Sequence, residues 1–283
     1  MLTEGETVAA ERLLTSDDLR VPTLEQLGLD LTIITARQRR IALVRPYAAV
    51  ALFTAVASVG WWWATPIVAF MIFVAVVTVT HDVVHRSLGF TRRQTDWALF
   101  FMGLVLLESG HAYRTTHIQH HRLFPSEDDP EGYPANLSLL GAICYGPVFL
   151  VRLWWWVFRR NRSRSRERAW LIAEAIAPFA AVGSGILLWP RTPAVLLYAT
   201  MMIVGSWVYP LLTVYLPHRD YGDTPLTQTR TLRGRVIPAV FLELTYHLEH
   251  HLYPQVPSHN LPELARRLDP FFERAGVRPW RVI

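Results

Sequence analysis

Four long apolar segments constrain this chain more than any other feature. They cover residues 47–63, 65–80, 169–189 and 193–216, and hydrophobic residues make up 51% of the 283 residues. A helix needs about 20 apolar residues to cross the hydrocarbon core of a bilayer. Because lipid offers no partners for backbone polar groups, such segments must be helical. The sequence therefore predicts an all-α integral membrane protein with four transmembrane helices arranged as two hairpins.

Two shorter or less apolar runs, residues 97–107 and 137–158, lie between the predicted hairpins. The second run contains Arg152 and three consecutive tryptophans, a composition typical of the membrane interface. If this run crossed the bilayer, it would place the basic residues near Arg114 and the arginine-rich stretch 159–168 on opposite sides, against the positive-inside rule. We therefore expect both runs to form interfacial helices.

The remaining composition limits the class of protein further. The one cysteine, Cys144, leaves no disulfide framework and no thiolate metal site. A net charge of +5 suits contact with anionic lipid headgroups, and nothing in the sequence suggests nucleic-acid binding. We expect residues 1–40 to form a cytosolic segment without an ordinary secretory signal, and residues 41–283 to form a single membrane domain. Four spans place both termini on the same side of the membrane, and the positive-inside rule indicates that this side is cytoplasmic.

Eight of the eleven histidines fall into three tight clusters. The clusters are His81-Asp-Val-Val-His85, His117-Ile-Gln-His120-His121 and His247-Leu-Glu-His250-His251. Residues three and four apart share one face of a helix, so each cluster can aim its imidazoles at one point. The predicted topology brings all three clusters to the same membrane face. Imidazole suits iron, zinc, copper and nickel, so ligand type alone leaves the metal open.

The order HxxxH, HxxHH, HxxHH around two membrane hairpins resembles the membrane fatty acid desaturase superfamily, from residue 47 to residue 257. The resemblance implies a helical membrane body with a cytosolic helical cap and two iron ions bound by histidines. It also implies a further ligand just after the fourth span. The candidate ligands are then His81, His85, His117, His120, His121, His218, His247, His250 and His251. Nine ligands exceed what one tetrahedral or octahedral ion can use, which favours two metals. Val214 stands where acyl-CoA desaturases of the superfamily carry Asn.

Carboxylates near the clusters are candidates to accept the outer ring N–H of metal-bound histidines, which fixes the tautomer. The candidates are Asp82, Glu108, Glu243 and Glu249, together with Asp129 in an Asp-Pro pair that also resembles the superfamily pattern. We expect Glu243 to act in this way because it lies four residues before His247 on a presumed helix. His111 and His259 fall outside the clusters, and we expect them to lie beside the site or at an interface.

The resemblance implies an oxidoreductase that uses dioxygen as co-substrate, because oxidising an unactivated C–H bond is beyond any amino-acid side chain. The chain carries no ferredoxin-type cysteine set and no dinucleotide fingerprint, so we expect a separate electron donor such as ferredoxin with its reductase. We predict a fatty acyl desaturase of a bacterial cytoplasmic membrane. The alternative is a carotenoid ring hydroxylase or ketolase of the same superfamily, whose first box also tends to start His-Asp. A zinc-dependent membrane lipid hydrolase is a remote third possibility, since nine ligands are too many for it.

Overall fold

The computed structural model describes residues 20–161 and 163–283, and most of the described chain is α-helical. Residues 1–19 of the predicted cytosolic segment 1–40 lie outside the described residues, and so does Arg162. The helices are α1 (Leu24–Leu27), α2 (Ala36–Ser58), α3 (Thr65–Val84), α4 (Arg92–Leu106), α5 (Gly110–Leu123), α6 (Leu139–Arg160), α7 (Ser165–Leu188), α8 (Ala194–Gly205), α9 (Leu216–His218), α10 (Val236–Val240), α11 (His247–Leu252) and α12 (Leu261–Arg274). Two short strands, β1 (Leu232–Arg233) and β2 (Trp280–Arg281), pair in parallel.

Helices α2 and α3 form the first predicted hairpin. Helix α2 begins eleven residues before the predicted start, because Thr35 and Gln38 form a capping box in which each side chain binds the other's backbone N–H. The turn between the helices uses Gly60 at a φ of 75°, a conformation that glycine adopts without strain. Helix α3 continues past residue 80 to Val84, so His81 lies in its last turn.

The second hairpin consists of α7 and α8. Gly185 sits at their contact, where an added Cβ would lie 2.7 Å from the backbone of Leu196. After α8 the chain passes through a π-helical stretch that starts at Pro210 and then enters α9, which ends at His218. Proline cannot donate the helical hydrogen bond, so the change of winding starts where the ladder is broken. The π-helical stretch therefore determines where His218 lies at the end of the second hairpin.

Five helical segments of the described chain are long and apolar enough to cross a membrane. They are Leu29–Ser58, Trp62–Val84, Leu139–Arg160, Ser165–Leu188 and Ala194–His218. The predicted count of four is therefore not confirmed, because α6, which covers the run 137–158, also satisfies the length and composition of a span. Helix α4, in contrast, has 15 residues and is about 22 Å long, shorter than the hydrocarbon core.

Among the described residues, four apolar cores hold these elements together, and two of them are large. The larger lies between the first hairpin and the inner face of α4, with Ile72, Leu99 and Met202 at its centre. The second joins α1, α11 and α12, which we call the terminal layer, around Leu31 and Phe272. Helix α12 buries its leucines, and the side-chain amide of Asn260, just before the helix, donates to the Leu31 carbonyl oxygen.

Candidate metal centre

The first two histidine clusters are carried by two helices that meet at one end of the first hairpin. His81 lies in the last turn of α3, and His85 follows immediately after it. His117, His120 and His121 occupy the second half of α5. Ser109 starts α5 by accepting a hydrogen bond from the Ala112 N–H at 3.1 Å. The i, i+3, i+4 spacing then turns all three imidazoles toward α3.

The third cluster and His218 approach from the other side. Helix α11 is a six-residue helix that begins at His247 and therefore presents all three histidines within two turns. His218 ends α9 and is completely buried. The Nε2 atoms of His218 and His247 lie 3.0 Å apart. The structure thus brings together residues separated by up to 170 positions in the sequence.

All nine candidate ligands converge, and eight of them form two groups. In each group the ligand atoms lie within 4.8 Å of one another. The first group is His81, His85, His117 and His250, and the second is His120, His218, His247 and His251. His121 lies between the groups: its Nε2 is 2.9 Å from that of His250, and its ring stacks on His251 at 4.2 Å.

The outward-facing nitrogens of three histidines are held by acceptors. His120 Nδ1 donates to Asp129 Oδ2 at 2.7 Å, and His117 Nδ1 lies 3.3 Å from Glu131 Oε2. His218 Nδ1 donates to the backbone oxygen of Gln228 at 3.0 Å. A neutral imidazole that donates from Nδ1 has an unprotonated Nε2. These three Nε2 atoms therefore present lone pairs to the interior of the cluster.

These lone pairs show that the cluster fits a cation. His120 Nε2 and His218 Nε2 face each other at 3.1 Å, yet the outer hydrogen bonds leave neither ring a proton to share while both are neutral. The Nε2 atom of His85 is buried and has no hydrogen-bond partner among the described residues. Buried acceptors without donors are costly, and positive ions among them would remove that cost. The donor set, nitrogen throughout, suits a transition metal.

Burial keeps most of these imidazoles in the neutral form that binds metal. Burial lowers the pKa of His247 to about 3 and, aided by neighbouring imidazoles, holds the pKa of His121 and His251 well below the usual value. His120 is the exception: burial is the largest single effect and lowers its pKa, but the hydrogen bond to Asp129 and the charges of Asp129 and Glu131 together outweigh burial, so the net shift is upward. Burial also raises the pKa of Glu131, to about 7.

Of the five carboxylates predicted to support the ligands, Asp129 and Asp82 lie beside histidines of the cluster, in different surroundings. Asp129 binds His120, and its other oxygen accepts the Glu131 N–H at 2.9 Å. Asp82 Oδ1 accepts hydrogen bonds from the N–H and hydroxyl of Ser258, at 3.0 and 2.7 Å, and lies 3.8 Å from His81 Nδ1. It therefore anchors the segment that follows the third cluster.

The presumed helix around Glu243 is absent. The residues before His247 form turns, and Glu243 itself has a φ of 69°. It consequently does not share a helix face with His247, and the described residues include no hydrogen bond from Glu243 to a histidine of the cluster. Glu249 is also turned away, since it pairs with Arg233 at 2.6 Å. Burial raises the pKa of Glu243.

Sequence reasoning missed two supporting carboxylates. Glu131 binds the Thr116 hydroxyl at 2.5 Å as well as approaching His117. Glu174 accepts hydrogen bonds from His111 Nδ1 at 2.6 Å and from the Ser109 hydroxyl at 2.5 Å, which ties α7 to the start of α5. A charged residue within an apolar span, as Glu174 is, was the available signal. His111 thus lies beside the site, whereas His259 is exposed.

Comparison with known proteins agrees with this geometry. The family described as Fatty acid desaturase matches residues 57–282, most of the chain. The chain belongs to the fatty acid desaturase family. This confirms the resemblance inferred from the histidine clusters, and it makes the protein an oxidoreductase of the fatty acid desaturase superfamily with helices apolar enough to cross a membrane.

Three relatives of this desaturase-family protein differ in what they act on. The dihydrorhizobitoxine desaturase of Bradyrhizobium elkanii is 24% identical over 261 residues, covering 77% of this chain and 71% of the relative. The beta-carotene ketolase of a Paracoccus species is 26% identical over 210 residues, covering 69% and 76%. The acyl-lipid (9-3)-desaturase of Physcomitrium patens is 30% identical over 67 residues, covering 23% and 13%.

Proposed function

We propose that this protein is an integral membrane, di-iron, dioxygen-dependent oxidoreductase that desaturates a fatty acyl chain. The observation that carries the proposal is the convergence of nine imidazoles on two adjacent points at one end of the apolar helices. Two ions sharing nine nitrogen ligands exceed any tetrahedral zinc site. Bound iron, with dioxygen, supplies the oxidant that side chains lack.

The nine histidines divide between the two irons. His81, His85, His117, His121 and His250 would hold one iron, and His120, His218, His247 and His251 the other. Asp129 and Glu131 orient ligands of the two groups by accepting their outer N–H groups. Phe124 covers the second group, with its ring 4.4 Å from His218 and 5.3 Å from His120, and excludes water there.

We further propose that four helices cross the membrane and that α6 lies along the interface. Two contacts support this arrangement. Just before α6, Asn136 accepts a hydrogen bond from the Tyr221 hydroxyl at 3.0 Å, three residues beyond His218. Near its other end, Val157 packs with Ala112 of the histidine-bearing α5. Both ends of α6 are thus tied to the histidine side of the molecule.

The same arrangement puts both termini and the metal centre on the cytoplasmic side of a bacterial cytoplasmic membrane. The terminal layer lies on that side too and forms the cytosolic cap. The arginine-rich stretch 159–168 then faces the cytoplasm, as the positive-inside rule requires. Residues 41–283 would form one domain, preceded by a cytosolic segment. Electrons would come from a separate ferredoxin and its reductase.

The deciding experiment combines metal analysis with lipid analysis. The protein is expressed in a bacterial host, purified aerobically in detergent and assayed for iron and zinc, while host lipids are analysed by mass spectrometry. We expect two irons per chain and a new double bond in acyl chains, both absent from a His120→Ala variant. One zinc per chain with oxygen-independent activity would instead indicate a hydrolase and contradict the proposal.

Carotenoid ring oxygenation is a second candidate, favoured by two observations. The first box begins His81-Asp82, and the beta-carotene ketolase covers 69% of the chain where the acyl-lipid desaturase covers 23%. Expression in a host that makes β-carotene separates the candidates. Keto or hydroxy carotenoids with unchanged acyl chains would replace our first assignment by the second.

A further inference from the structure

A basic pocket lies outside the histidine cluster, where α3 ends and α4 begins. It has a volume of about 170 Å³ and is lined by Val84, Arg86, Arg92, Thr95 and Arg114. Its side chains come from three elements: the end of α3, the first turn of α4 and the middle of α5. No carboxylate lines it.

Two polar groups of this pocket lack partners that an anion would supply, and the other two lie near carboxylates outside its lining. Thr95 is 4% exposed, and its hydroxyl is buried without a hydrogen-bond partner among the described residues. The described residues also give the Arg86 side chain no hydrogen bond or ion pair. Arg114 binds Asp96 at 2.7 Å, and that carboxylate is shared with Arg166. Arg92 lies 3.9 Å from Glu167, so four arginines face two carboxylates here. The local balance remains positive, so the pocket suits an oxyanion bound by guanidinium and hydroxyl groups.

The pocket and the aromatic face of α4 point in opposite directions. On an α-helix each residue advances by about 100°, so Trp97 and Phe101 project from the side of α4 opposite Arg92 and Thr95. These two aromatic side chains are 43% and 48% exposed, as expected for the face that contacts the bilayer. If α4 lies along the interface, as the sequence predicts, its aromatic face contacts the bilayer and the pocket lies on the other side of the helix. The exposed Arg86 and Arg92 make the pocket reachable by a soluble partner.

The pocket is also next to the metal centre. Val84 and Arg86, the two chain neighbours of His85, both line it. A protein whose surface carboxylate enters the pocket is therefore held against the His85 edge of the cluster. Basic patches of this kind select acidic partners and speed their association.

We propose that this pocket receives a surface carboxylate of an acidic, ferredoxin-type electron donor and that electrons enter the cluster beside His85. The inference rests on the proposed function. Desaturation removes two hydrogen atoms, and hence two electrons, from the substrate. Reduction of O2 to two waters takes four electrons and four protons, so two reduced one-electron donors supply the remaining two electrons and water supplies two protons.

Donor binding tests this directly and needs no turnover. The iron-loaded protein in lipid nanodiscs is immobilised, and binding of an acidic plant-type [2Fe–2S] ferredoxin is measured by biolayer interferometry at low ionic strength. We expect Arg86→Glu and Arg92→Glu each to raise the Kd about tenfold and to flatten its salt dependence. Thr95→Val should raise the Kd about threefold. Iron content and thermal midpoint should match the unsubstituted protein, which shows that the variants fold.

Two charge reversals elsewhere serve as controls. Arg191, in the turn between α7 and α8, and Arg159, at the end of α6, are both exposed, and Arg191→Glu and Arg159→Glu should leave the Kd unchanged. No binding by the unsubstituted protein, unchanged binding by Arg86→Glu, or a larger loss with Arg159→Glu would overturn the proposal. So would an Arg86→Glu effect confined to nanodiscs that contain anionic lipid. A failed product assay with intact donor binding would refute only the proposed function.

Discussion

Replacing Asp129 by Asn tests whether the outer hydrogen bonds set the metal affinity. Asp129 is buried, and its two oxygens accept from His120 Nδ1 at 2.7 Å and from the Glu131 N–H at 2.9 Å. An asparagine has the same shape but only one acceptor oxygen. If the amide oxygen faces Glu131, the NH2 group meets the His120 N–H, and the reverse orientation creates the same conflict with Glu131. One hydrogen bond must be lost in either case.

The size of the effect follows from which hydrogen bond is lost. If His120 changes tautomer to accept from the amide, its Nε2 becomes protonated and can no longer bind a metal. If it keeps its tautomer, it loses a hydrogen bond to a charged acceptor, worth about 1.5–3 kcal/mol. Removal of such an outer partner lowers metal affinity about 10- to 100-fold. We therefore expect Asp129→Asn to lower the iron affinity about 10- to 100-fold while the protein stays folded.

The assay is competition for iron by a chelator, followed by iron analysis, with thermal unfolding in detergent as a check on folding. Asp128→Asn is the matched control, because Asp128 is the exposed neighbour, and it should retain the original affinity. An Asp129→Asn protein whose iron affinity lies within twofold of the starting protein would refute the role of this hydrogen bond.

Three further perturbations have defined outcomes. His250→Ala should abolish turnover and reduce bound iron, whereas His259→Ala, at an exposed position, should keep most of both in the same assays. Gly185→Ala should lower the thermal midpoint, because the added Cβ would lie 2.7 Å from the backbone of α8. Gly183→Ala is the control, since its Cβ would meet no atom within 4 Å, and equal midpoints for the two variants would contradict this packing. The metal-free protein should lose stability on acidification, because burial holds the pKa of His247 at about 3 against 6.5 and keeps those of His121 and His251 well below 6.5. These histidines outnumber Glu131, whose raised pKa of about 7 acts in the opposite direction, so the unfolded state binds more protons below pH 6.5. Thermal midpoints should be highest above about pH 6.5 and fall below it, and pH-independent midpoints would refute the argument.

The candidate metal centre was predictable in part because the spacing of its histidines is local. Within α5, the separations between His117, His120 and His121 fix a common helix face before any tertiary contact is considered. Their meeting with His218 followed from the pairing of apolar segments into hairpins. The resemblance to a known family supplied His218 itself, which stands alone in the sequence. Its ring could not have been distinguished from that of His111 by spacing.

Other features depend on contacts that a linear pattern does not contain. Helix α2 starts at a capping box among polar residues, and hydropathy does not register that signal. Glu243 was expected on a helix because the third cluster has helical spacing, but left-handed backbone at Leu242 and Glu243 interrupts the chain before His247. Whether α6 crosses or lies flat depends on its tertiary contacts, since its length and composition permit both.

The terminal layer has a consequence for the order in which the protein assembles. Tyr253 donates its hydroxyl proton to the Pro22 carbonyl, and Arg267 binds both Asp30 and the Leu27 carbonyl, so each contact joins residues more than 200 positions apart. Ribosomal synthesis releases the first two histidine clusters long before the third. Such non-local contacts form late, and a site completed by α11 gains its full ligand set only then. If the site holds iron as proposed, iron loading should therefore be a late, post-translational step that follows docking of the terminal layer.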